Sequence, residues 1–506
     1  MYTTLLMKKL FFMILSISVL FGCGQFSNEA MFNTDNIDKM IRKGDYTAAE
    51  QIIKLKIATD SLSKEEIYDL NFRLDVMNRI RKDFNKSDSS VVAFIKERYP
   101  EVTPEELAKW EAEGALECKK IDGEKKYFWN AARNLFRISK EAQQKQKGIQ
   151  GRQSDDLDIF LGEYLPKVTE AAGKGYTKTG KMVMPVDMKI RYTITVPAGE
   201  VPAGEMIRVW MPYPRNNEKH KNIKLLSTSQ PEYIISPESY PHKSIYMEKV
   251  AGTDSAAVFS YELIYTSYNR WVKFNPEDVK PYNTESELYK KYTAQRETHV
   301  IFTDDIKRIT DSIVGNEQNP YLKSVKIFDY IGKNYPWASA REYSTIENIP
   351  QYVLDNKHGD CGQVGLLFIT MARYAGIPAK WQSGWMLHPN EVNLHDWAEA
   401  YYEGIGWVPV DQSFGHVYDA AYTKDAATEE EGRQAAMAND DVYHFYTRGL
   451  DAYRYIVNDD FSGDFYPAKT HPRSETVDFQ RGEVEWKGEN LYFGRWKYKM
   501  EVEYLN

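Results

Sequence analysis

The chain has 506 residues, of which 42% are hydrophobic and 27% are charged, and its formal net charge at pH 7 is -8. Because this length exceeds that of one ordinary domain, we expect two or three soluble domains with packed cores. The acidic balance argues against nucleic acid as a partner, since binding to a phosphate backbone needs a basic surface.

The N-terminus has the order of an export signal. Lys8 and Lys9 precede the apolar run LFFMILSISVLF, which ends before Gly22 and Cys23, and such a run is too short to span a bilayer, which takes about 20 apolar residues. LFGC resembles the lipobox of bacterial lipoproteins, in which the cysteine is acylated and becomes the first mature residue. We therefore predict a signal peptide over residues 1–22, lipid on Cys23 and a location on the bacterial cell envelope. A cleaved signal with a chance cysteine is the alternative.

Residues 23–150 are predicted to form a helical N-terminal region. GDYTAAEQIIKLKI has the apolar spacing of an amphipathic helix, and in VTPEELAKW Thr103 and Glu106 have the spacing of a capping box. LECKKIDGEKKYFW predicts a hairpin that turns at Asp122. Cys118 lies in this hairpin, where we expect it to act as a small core residue.

Period-two alternation of apolar side chains predicts a small antiparallel β-sandwich over residues 180–272. The alternation runs from Met188 to Val196, from Ile207 to Met211 and from Phe259 to Tyr265. The pattern then becomes helical, and residues 285–506 are predicted to form a catalytic domain whose aromatic-rich tail contributes closing strands. The expected fold class is α+β.

Cys361 stands at the start of an apolar helical run. Gly359 and Asp360 break the preceding structure, and VGLLFITMARYAGIP then has helical apolar spacing up to Gly376. The free N–H groups and the positive end of a helix dipole favour a thiolate, so we expect the thiol pKa to be lowered. Cys361 is therefore the candidate nucleophile, with its own N–H as an oxyanion donor.

His395 and Asp411 are the candidate partners of this thiol. HDWAEAYYEGIGWVPVDQS predicts two strands joined by a tight turn. A three-residue loop pairs Tyr402 with Gly406 and places His395 and Asp411 on one face, whereas a two-residue loop would separate them. Cys361, His395 and Asp411 would then act as nucleophile, acid/base and orienting carboxylate.

Two other histidines are alternative candidates for the base, and the cysteines do not have the spacing of a metal site. His358 and His388 lie on segments predicted to be irregular, with no obvious carboxylate to orient either ring. Cys118 and Cys361 fall in different predicted domains, and no close Cys/His pairing recurs. We therefore expect neither a metal nor a cofactor.

The segments GDCGQVGLLFITMARYAGIPAKWQSGW and HDWAEAYYEGIGWVPVDQS closely resemble the core motifs of the transglutaminase-like superfamily of papain-type cysteine enzymes. The resemblance implies a papain/transglutaminase-like core with Cys361, His395 and Asp411 as its triad. It also implies thiolate attack on an amide carbonyl, loss of the amine and a thioester intermediate. Trp337 and Gln363 are candidates for a second oxyanion donor.

Three functions remain open after this resemblance. A peptide, protein or glycopeptide amide is the expected substrate, and hydrolysis by a lipid-anchored protease or amidase is favoured. Transfer to an amine would instead make a crosslinking enzyme. A non-catalytic binding or scaffold module is the third alternative.

Overall fold

The computed structural model describes residues 33–146, 156–173, 181–416, 431, 437 and 439–505. The predicted signal peptide and Cys23 lie outside these residues. The chain divides into two compact units. The smaller contains the described residues up to Phe84 together with Lys119–Lys126, and the larger contains Asn85–Cys118 and the described residues from Tyr127 onward.

The smaller unit is built from helices and most of one β-hairpin. The predicted amphipathic helix is present, and the hairpin turns at Asp122 and Gly123, which both have positive φ. Asp122 accepts hydrogen bonds from the backbone and side chain of Thr47, which fixes the turn against the start of that helix. The elements are α1 (Thr34–Lys43), α2 (Tyr46–Thr59), α3 (Lys64–Asp83), β1 (Cys118–Ile121) and β2 (Glu124–Tyr127).

The larger unit contains the other described helices. Thr103 and Glu106 form the predicted capping box, with Pro104 at the first helical position. The helices are α4 (Asp88–Arg98), α5 (Pro104–Ala112), α6 (Ala131–Ile138), α7 (Lys140–Lys145), α8 (Asp156–Gly173), α9 (Glu287–Thr293), α10 (Asp304–Val314), α11 (Pro320–Asn334), α12 (Ile349–Asn356), α13 (Cys361–Tyr374) and α14 (Asp440–Tyr443).

Two antiparallel sheets share one core and form the sandwich. The first has the order β12-β8-β3-β16, with β5 also paired to β8, and the second has the order β15-β14-β4-β7-β6. Inward residues of the predicted alternation, such as Met188, Val209 and Tyr261, are buried. The strands are β3 (Lys181–Val196), β4 (Met206–Pro212), β5 (His220–Thr228), β6 (Ile234–Ile235), β7 (Ser244–Val250), β8 (Ala257–Trp271), β12 (Gly449–Leu450), β14 (Glu483–Trp486), β15 (Glu489–Asn490) and β16 (Lys497–Tyr504).

The C-terminal strands belong to the sandwich. β16 pairs with β3 from Lys497 to Tyr504, and β14 pairs with β4. This pairing differs from the predicted placement of the tail in the catalytic domain of residues 285–506. Alternation indicates that a segment is a strand, but it does not identify the distant strand with which the segment pairs.

A four-stranded antiparallel sheet carries the candidate site. Its order is β11-β10-β9-β13, and α13 packs against one face of it beside Trp381, Ala398 and Ala400. Tyr402 pairs with Gly406, which confirms the predicted three-residue loop. The strands are β9 (Ala379–His388), β10 (Glu391–Tyr402), β11 (Gly406–Val410) and β13 (Arg454–Asn458).

The mixture of helices and antiparallel sheets confirms the expected α+β class. In the part of the chain that the structure describes, every helix is too short or too polar to cross a membrane.

Candidate active site

Cys361 is the first residue of α13, as the sequence predicts. The Asp360 side chain accepts a hydrogen bond from the Gln363 backbone N–H at 3.0 Å, and the Gln363 side chain accepts one from the Asp360 N–H at 3.2 Å. A Cβ at Gly362 would lie 2.2 Å from the hydroxyl of Tyr343, so any larger residue would displace Tyr343. The thiol is partly buried and lines a cavity of about 220 Å³.

The thiol faces a group of acidic side chains. Cys361 Sγ donates a hydrogen bond to Asp396 Oδ2 at 3.2 Å. The Tyr343 hydroxyl lies 2.7 Å from Asp360 Oδ1 and 3.3 Å from Asp396 Oδ2, and it donates to these oxygens. Glu475 and Asp478 line the same cavity. We call Asp360, Asp396, Glu475 and Asp478 the acidic group.

The pKa values of the acidic group are all raised above those of ordinary carboxyls. Burial raises the pKa of Asp360 to about 6 and that of Glu475 to about 8. Burial also raises the pKa values of Asp396 and Asp478. The pKa of the Cys361 thiol is raised well above its usual value by burial first and then by Asp396 and Asp360. The expected lowering of the thiol pKa is therefore wrong for this arrangement, because burial and two carboxyls outweigh the helix N-terminus.

His395 belongs to a second network. Its Nε2 lies 2.8 and 3.0 Å from the two carboxylate oxygens of Asp411. Asp411 also accepts a hydrogen bond from Arg454 Nη2 at 2.9 Å, and Arg454 Nη1 lies 3.0 Å from Asp451. His388 Nε2 lies 3.2 Å from Asp451, so this histidine does have a carboxylate partner, contrary to the sequence expectation. We call these five residues the arginine network.

All members of the arginine network are buried, and Arg454 is the cation that its two carboxylates share. Burial favours an uncharged Asp411, but the charges of His395 and Arg454 outweigh it and lower the carboxyl pKa. Burial lowers the pKa of His395, and Asp411 opposes that shift. The imidazole is thus held by Asp411 through Nε2, in the manner expected of an orienting carboxylate.

The two groups lie on opposite faces of β10. Successive strand residues point to opposite faces, and Asp396 shares its face with Ala398, which pairs with Trp381 and packs against α13. His395 points to the other face. Among the described residues, the hydrogen bond of Cys361 goes to Asp396 and those of His395 go to Asp411, with no hydrogen bond or electrostatic interaction between Cys361 and His395. The structure therefore brings together two of the three predicted residues.

The remaining sequence candidates occupy different environments. Trp337 lines the cavity, half exposed, with the Arg137 guanidinium 5.0 Å from its ring centroid. Gln363 is not part of the described cavity lining, and its Nε2 is buried without a hydrogen-bond partner in the described chain. His358 is buried beside the Tyr352 ring, and burial lowers its pKa to about 4. A neutral ring of such low basicity is a poor proton acceptor at neutral pH.

Asp396 was missed by the sequence analysis, although the sequence contains a relevant pattern. Ala398 and Ala400 are small and apolar and share a face with Asp396, whereas Trp397 and Glu399 share the face of His395. Small apolar residues are typical of a strand face covered by a helix. This pattern predicts that α13, and hence the thiol, lies on the Asp396 side.

Comparison with known proteins bears on the same segment. Residues 307–412 match the sequence profile of the family described as the transglutaminase-like superfamily. An uncharacterised protein of Haemophilus influenzae is 25% identical over 257 residues, covering 44% of this chain and 67% of that protein. The uncharacterised protein YebA of Bacillus subtilis is 21% identical over 307 residues, covering 54% of this chain and only 40% of the relative.

The solved structures that resemble this chain have lower sequence identity to it than these two relatives have. A candidate cysteine protease of Cytophaga hutchinsonii aligns with a TM-score of 0.40 and 13% identity, over 65% of this chain and 93% of that one. The periplasmic domain of TgpA from Pseudomonas aeruginosa aligns with a TM-score of 0.26 and 11% identity, over 53% and 95%. On the sequence match, residues 307–412, which contain α13 and β9–β11, form a transglutaminase-like core domain.

Proposed function

We propose that this protein is a cysteine enzyme that cleaves peptide or amide bonds with Cys361 as its nucleophile. The observation that carries the proposal is the position of Cys361, a residue of the transglutaminase-like core, at the N-terminus of α13, where its thiol lines a cavity of about 220 Å³. Helix N–H groups beside the thiol are suited to stabilise an oxyanion on the attacked carbonyl.

The proposed reaction has two acyl-transfer steps. The thiol loses its proton to a base, the sulfur bonds to the amide carbonyl carbon, and the amine departs with a proton returned to it. Water then attacks the thioester carbonyl, and the carboxylic acid and the free thiol are released. We propose water as the acceptor, because a hydrolase is the function favoured for a single exported lipoprotein.

His395, oriented by Asp411, is the proposed acid/base. The hydrogen bond from Nε2 to Asp411 leaves Nδ1 as the proton-transfer atom and supports this role. In the described arrangement, however, Asp396 stands beside the sulfur. The role of His395 therefore requires a rearrangement at the start of β10 that carries the imidazole to the thiol face.

The contact of 3.2 Å between Cys361 Sγ and Asp396 Oδ2 supports a second candidate for the proton acceptor. A carboxyl with a raised pKa is a better base once ionised, and Asp396 needs no rearrangement to receive the thiol proton. This alternative keeps the same reaction and nucleophile but gives the histidine a structural role.

The test compares three variants for hydrolysis of a peptide library, followed by mass spectrometry. Cys361→Ala should abolish turnover. His395→Ala should reduce kcat/KM by about 100-fold or more, the usual contribution of a general acid/base. Asp396→Asn should change it by less than about tenfold. Cys118→Ala is the matched control for loss of a thiol and should leave kcat/KM unchanged.

Each outcome decides one part of the proposal. Turnover retained by Cys361→Ala would overturn the cysteine mechanism. A large loss in Asp396→Asn with little change in His395→Ala would assign proton transfer to Asp396. An added primary amine separates the acceptors, because a hydrolase releases free acid in its presence whereas a crosslinking enzyme yields the amide. An absence of any turnover by the wild-type chain would favour the scaffold alternative.

The proposed location is the cell envelope, with lipid on Cys23 and peptide, protein or glycopeptide as substrate. Labelling of cells with a fatty-acid analogue tests the anchor. The wild-type chain should be labelled and sediment with membranes, and Cys23→Ser should be unlabelled. Label retained by Cys23→Ser would contradict lipidation at this residue.

A further inference from the structure

Three side chains outside both groups converge at the surface of the core. Asp329 lies on α11, His416 follows β11, and His444 follows α14. Their candidate ligand atoms all lie within 4.8 Å of one another. Asp329 Oδ1 is 2.8 Å from His416 Nε2 and 3.2 Å from His444 Nε2, so both rings are aimed at a single carboxylate oxygen.

These separations are close to those of a metal site. Ligands that lie about 2.0–2.2 Å from a tetrahedral zinc ion are about 3.3–3.5 Å from one another. Two imidazole nitrogens and one carboxylate oxygen are also a donor set that zinc accepts, with the fourth position left for water. To admit an ion, Asp329 Oδ1 and His416 Nε2 must move apart from their present separation of 2.8 Å.

The surroundings hold the two rings in this orientation. His444 Nδ1 lies 2.6 Å from Asp440 Oδ1, which is the outer carboxylate that commonly orients a metal-binding histidine. The His416 ring stacks on Tyr443 with centroids 4.4 Å apart and an interplanar angle of 16°. Asp329 remains substantially exposed, with 46% of its side-chain surface accessible, so an ion can reach the cluster from solvent.

We propose that Asp329, His416 and His444 bind a zinc ion, with Asp440 as the positioning residue for His444. This proposal departs from the expectation that the protein binds no metal. The sequence did not suggest it because the ligands are far apart along the chain and no short Cys/His motif is present.

The position of the site indicates what the ion would do. His416 closely follows Asp411, and between them Gln412 donates a hydrogen bond to the carbonyl of Phe328, the residue before Asp329, at 3.1 Å. The Asp411 N–H donates to the Tyr446 carbonyl at 2.8 Å, close to His444 in sequence. An ion held by the three ligands would therefore tie the segment that carries Asp411 to α11 and to the segment after α14.

The experiment measures zinc binding to the purified full chain. Apo protein prepared with a chelator is titrated with zinc sulfate by calorimetry, and bound metal is counted by mass spectrometry after gel filtration. We expect about one zinc per chain and a Tm that rises with zinc. His416→Ala, His444→Ala and Asp329→Asn should abolish retention, and Asp440→Asn should weaken affinity by about 10- to 100-fold. His471→Ala is the matched control, because the ring of this histidine contacts the Lys487 carbonyl, away from the three ligands, and its loss should leave binding unchanged.

Three results would overturn the site. The first is that the wild-type chain binds no zinc, and the second is that the wild-type chain and the ligand variants bind equal amounts. The third is that Mn²⁺ or Fe²⁺ binds more tightly than Zn²⁺, which would reverse the usual order of affinity for such donors. Asp440→Asn retains all three ligands, so it remains informative if a ligand variant does not fold.

Discussion

Carboxyl groups are buried on both faces of β10, but the partners that stabilise them differ between the two faces. On the His395 face, Asp411 and Asp451 contact the same cation, Arg454, at 2.9 and 3.0 Å. On the thiol face, Asp396 receives hydrogen bonds from neutral donors, among them Gln480 Nε2 at 2.7 Å. The nearby Arg481 donates a hydrogen bond to Glu342 at 2.9 Å and lies 3.8 Å from Glu475.

The difference in partners explains the difference in charge. A cation compensates the loss of solvation of a buried carboxylate, so the pKa values of Asp411 and Asp451 are lowered despite burial. Neutral donors compensate less, so burial raises the pKa values of Asp396 and Asp478. One sheet therefore separates a network in which two carboxylates share a cation from a thiol pocket in which burial raises the pKa values of the carboxyls.

The largest expected effect comes from removing the shared cation. Arg454→Met removes the cation that two buried carboxylates share and leaves Asp411 and Asp451 with their histidine partners. Breaking a buried ion pair from one side costs about 3–5 kcal/mol. We expect the free energy of unfolding, measured by urea denaturation at pH 7, to fall by that amount.

Arg495→Met is the control for this substitution. Arg495 pairs with Glu200 at 2.7 Å and with Glu489 at 2.9 Å, but all three side chains are about a third to a half exposed. Exposed pairs contribute about 0–1 kcal/mol. If Arg454→Met and Arg495→Met lowered the free energy of unfolding equally, the buried ion pairs of Arg454 would stabilise the protein no more than an exposed pair does.

The raised pKa values on the thiol face should make the free energy of unfolding depend on pH. The pKa of Glu475 is about 8 in the folded protein, against a usual value of 4.5, because burial disfavours the carboxylate. Between about pH 5 and 8 the folded state therefore retains a proton that the unfolded state has lost. Stability from this group is present at low pH and is lost as pH rises, by at most about 1.4 kcal/mol per pH unit.

Glu475→Gln should flatten this dependence, measured as the slope of unfolding free energy between pH 5 and 8. The control is Glu285→Gln, since Glu285 is 82% exposed and pairs with the exposed Lys290. It should keep the wild-type slope. A slope that is unchanged in Glu475→Gln would mean that Glu475 is ionised in the folded protein.

Local rules of sequence are sufficient to predict much of the site. Asp360 and Gly359 locate the start of α13. The turn residues of the β10–β11 hairpin allow two loop lengths, and the structure has the three-residue loop, which places His395 and Asp411 on one face. These features depend on neighbours in sequence. The contact between His395 and Asp411 follows directly from that register.

The failures concern relations between distant segments. Which face of β10 receives α13 depends on packing against Trp381 and Ala398, so the thiol was paired with His395 instead of Asp396. Arg454 reaches Asp411 only because β13 joins the sheet beside β9. The sign of the thiol pKa shift depends on these same placements, since helix position alone does not reveal two buried carboxyls.

The smallest expected effect is the destabilisation caused by removing one tyrosine hydroxyl from each face of β10. Tyr446 donates to Asp451 at 3.0 Å, and Tyr343 donates to Asp360 at 2.7 Å. At pH 5, Asp451 is ionised because Arg454 and His388 outweigh burial and lower its pKa, whereas Asp360, with a pKa of about 6, is mostly protonated. Hydrogen bonds to charged groups contribute about 1.5–3 kcal/mol and those to neutral groups about 0.5–1.5 kcal/mol.

At pH 5, Tyr446→Phe should therefore destabilise the protein more than Tyr343→Phe in urea denaturation. Raising the pH to 7.5 ionises Asp360, so the cost of Tyr343→Phe should grow towards that of Tyr446→Phe, whose own cost should stay constant. If both costs were the same at pH 5 and 7.5, the two faces of β10 would not differ in charge. The contrast between a cation-paired network and a thiol pocket with raised carboxyl pKa values would then be lost, because it predicts that only the Asp360 side changes its charge over this range.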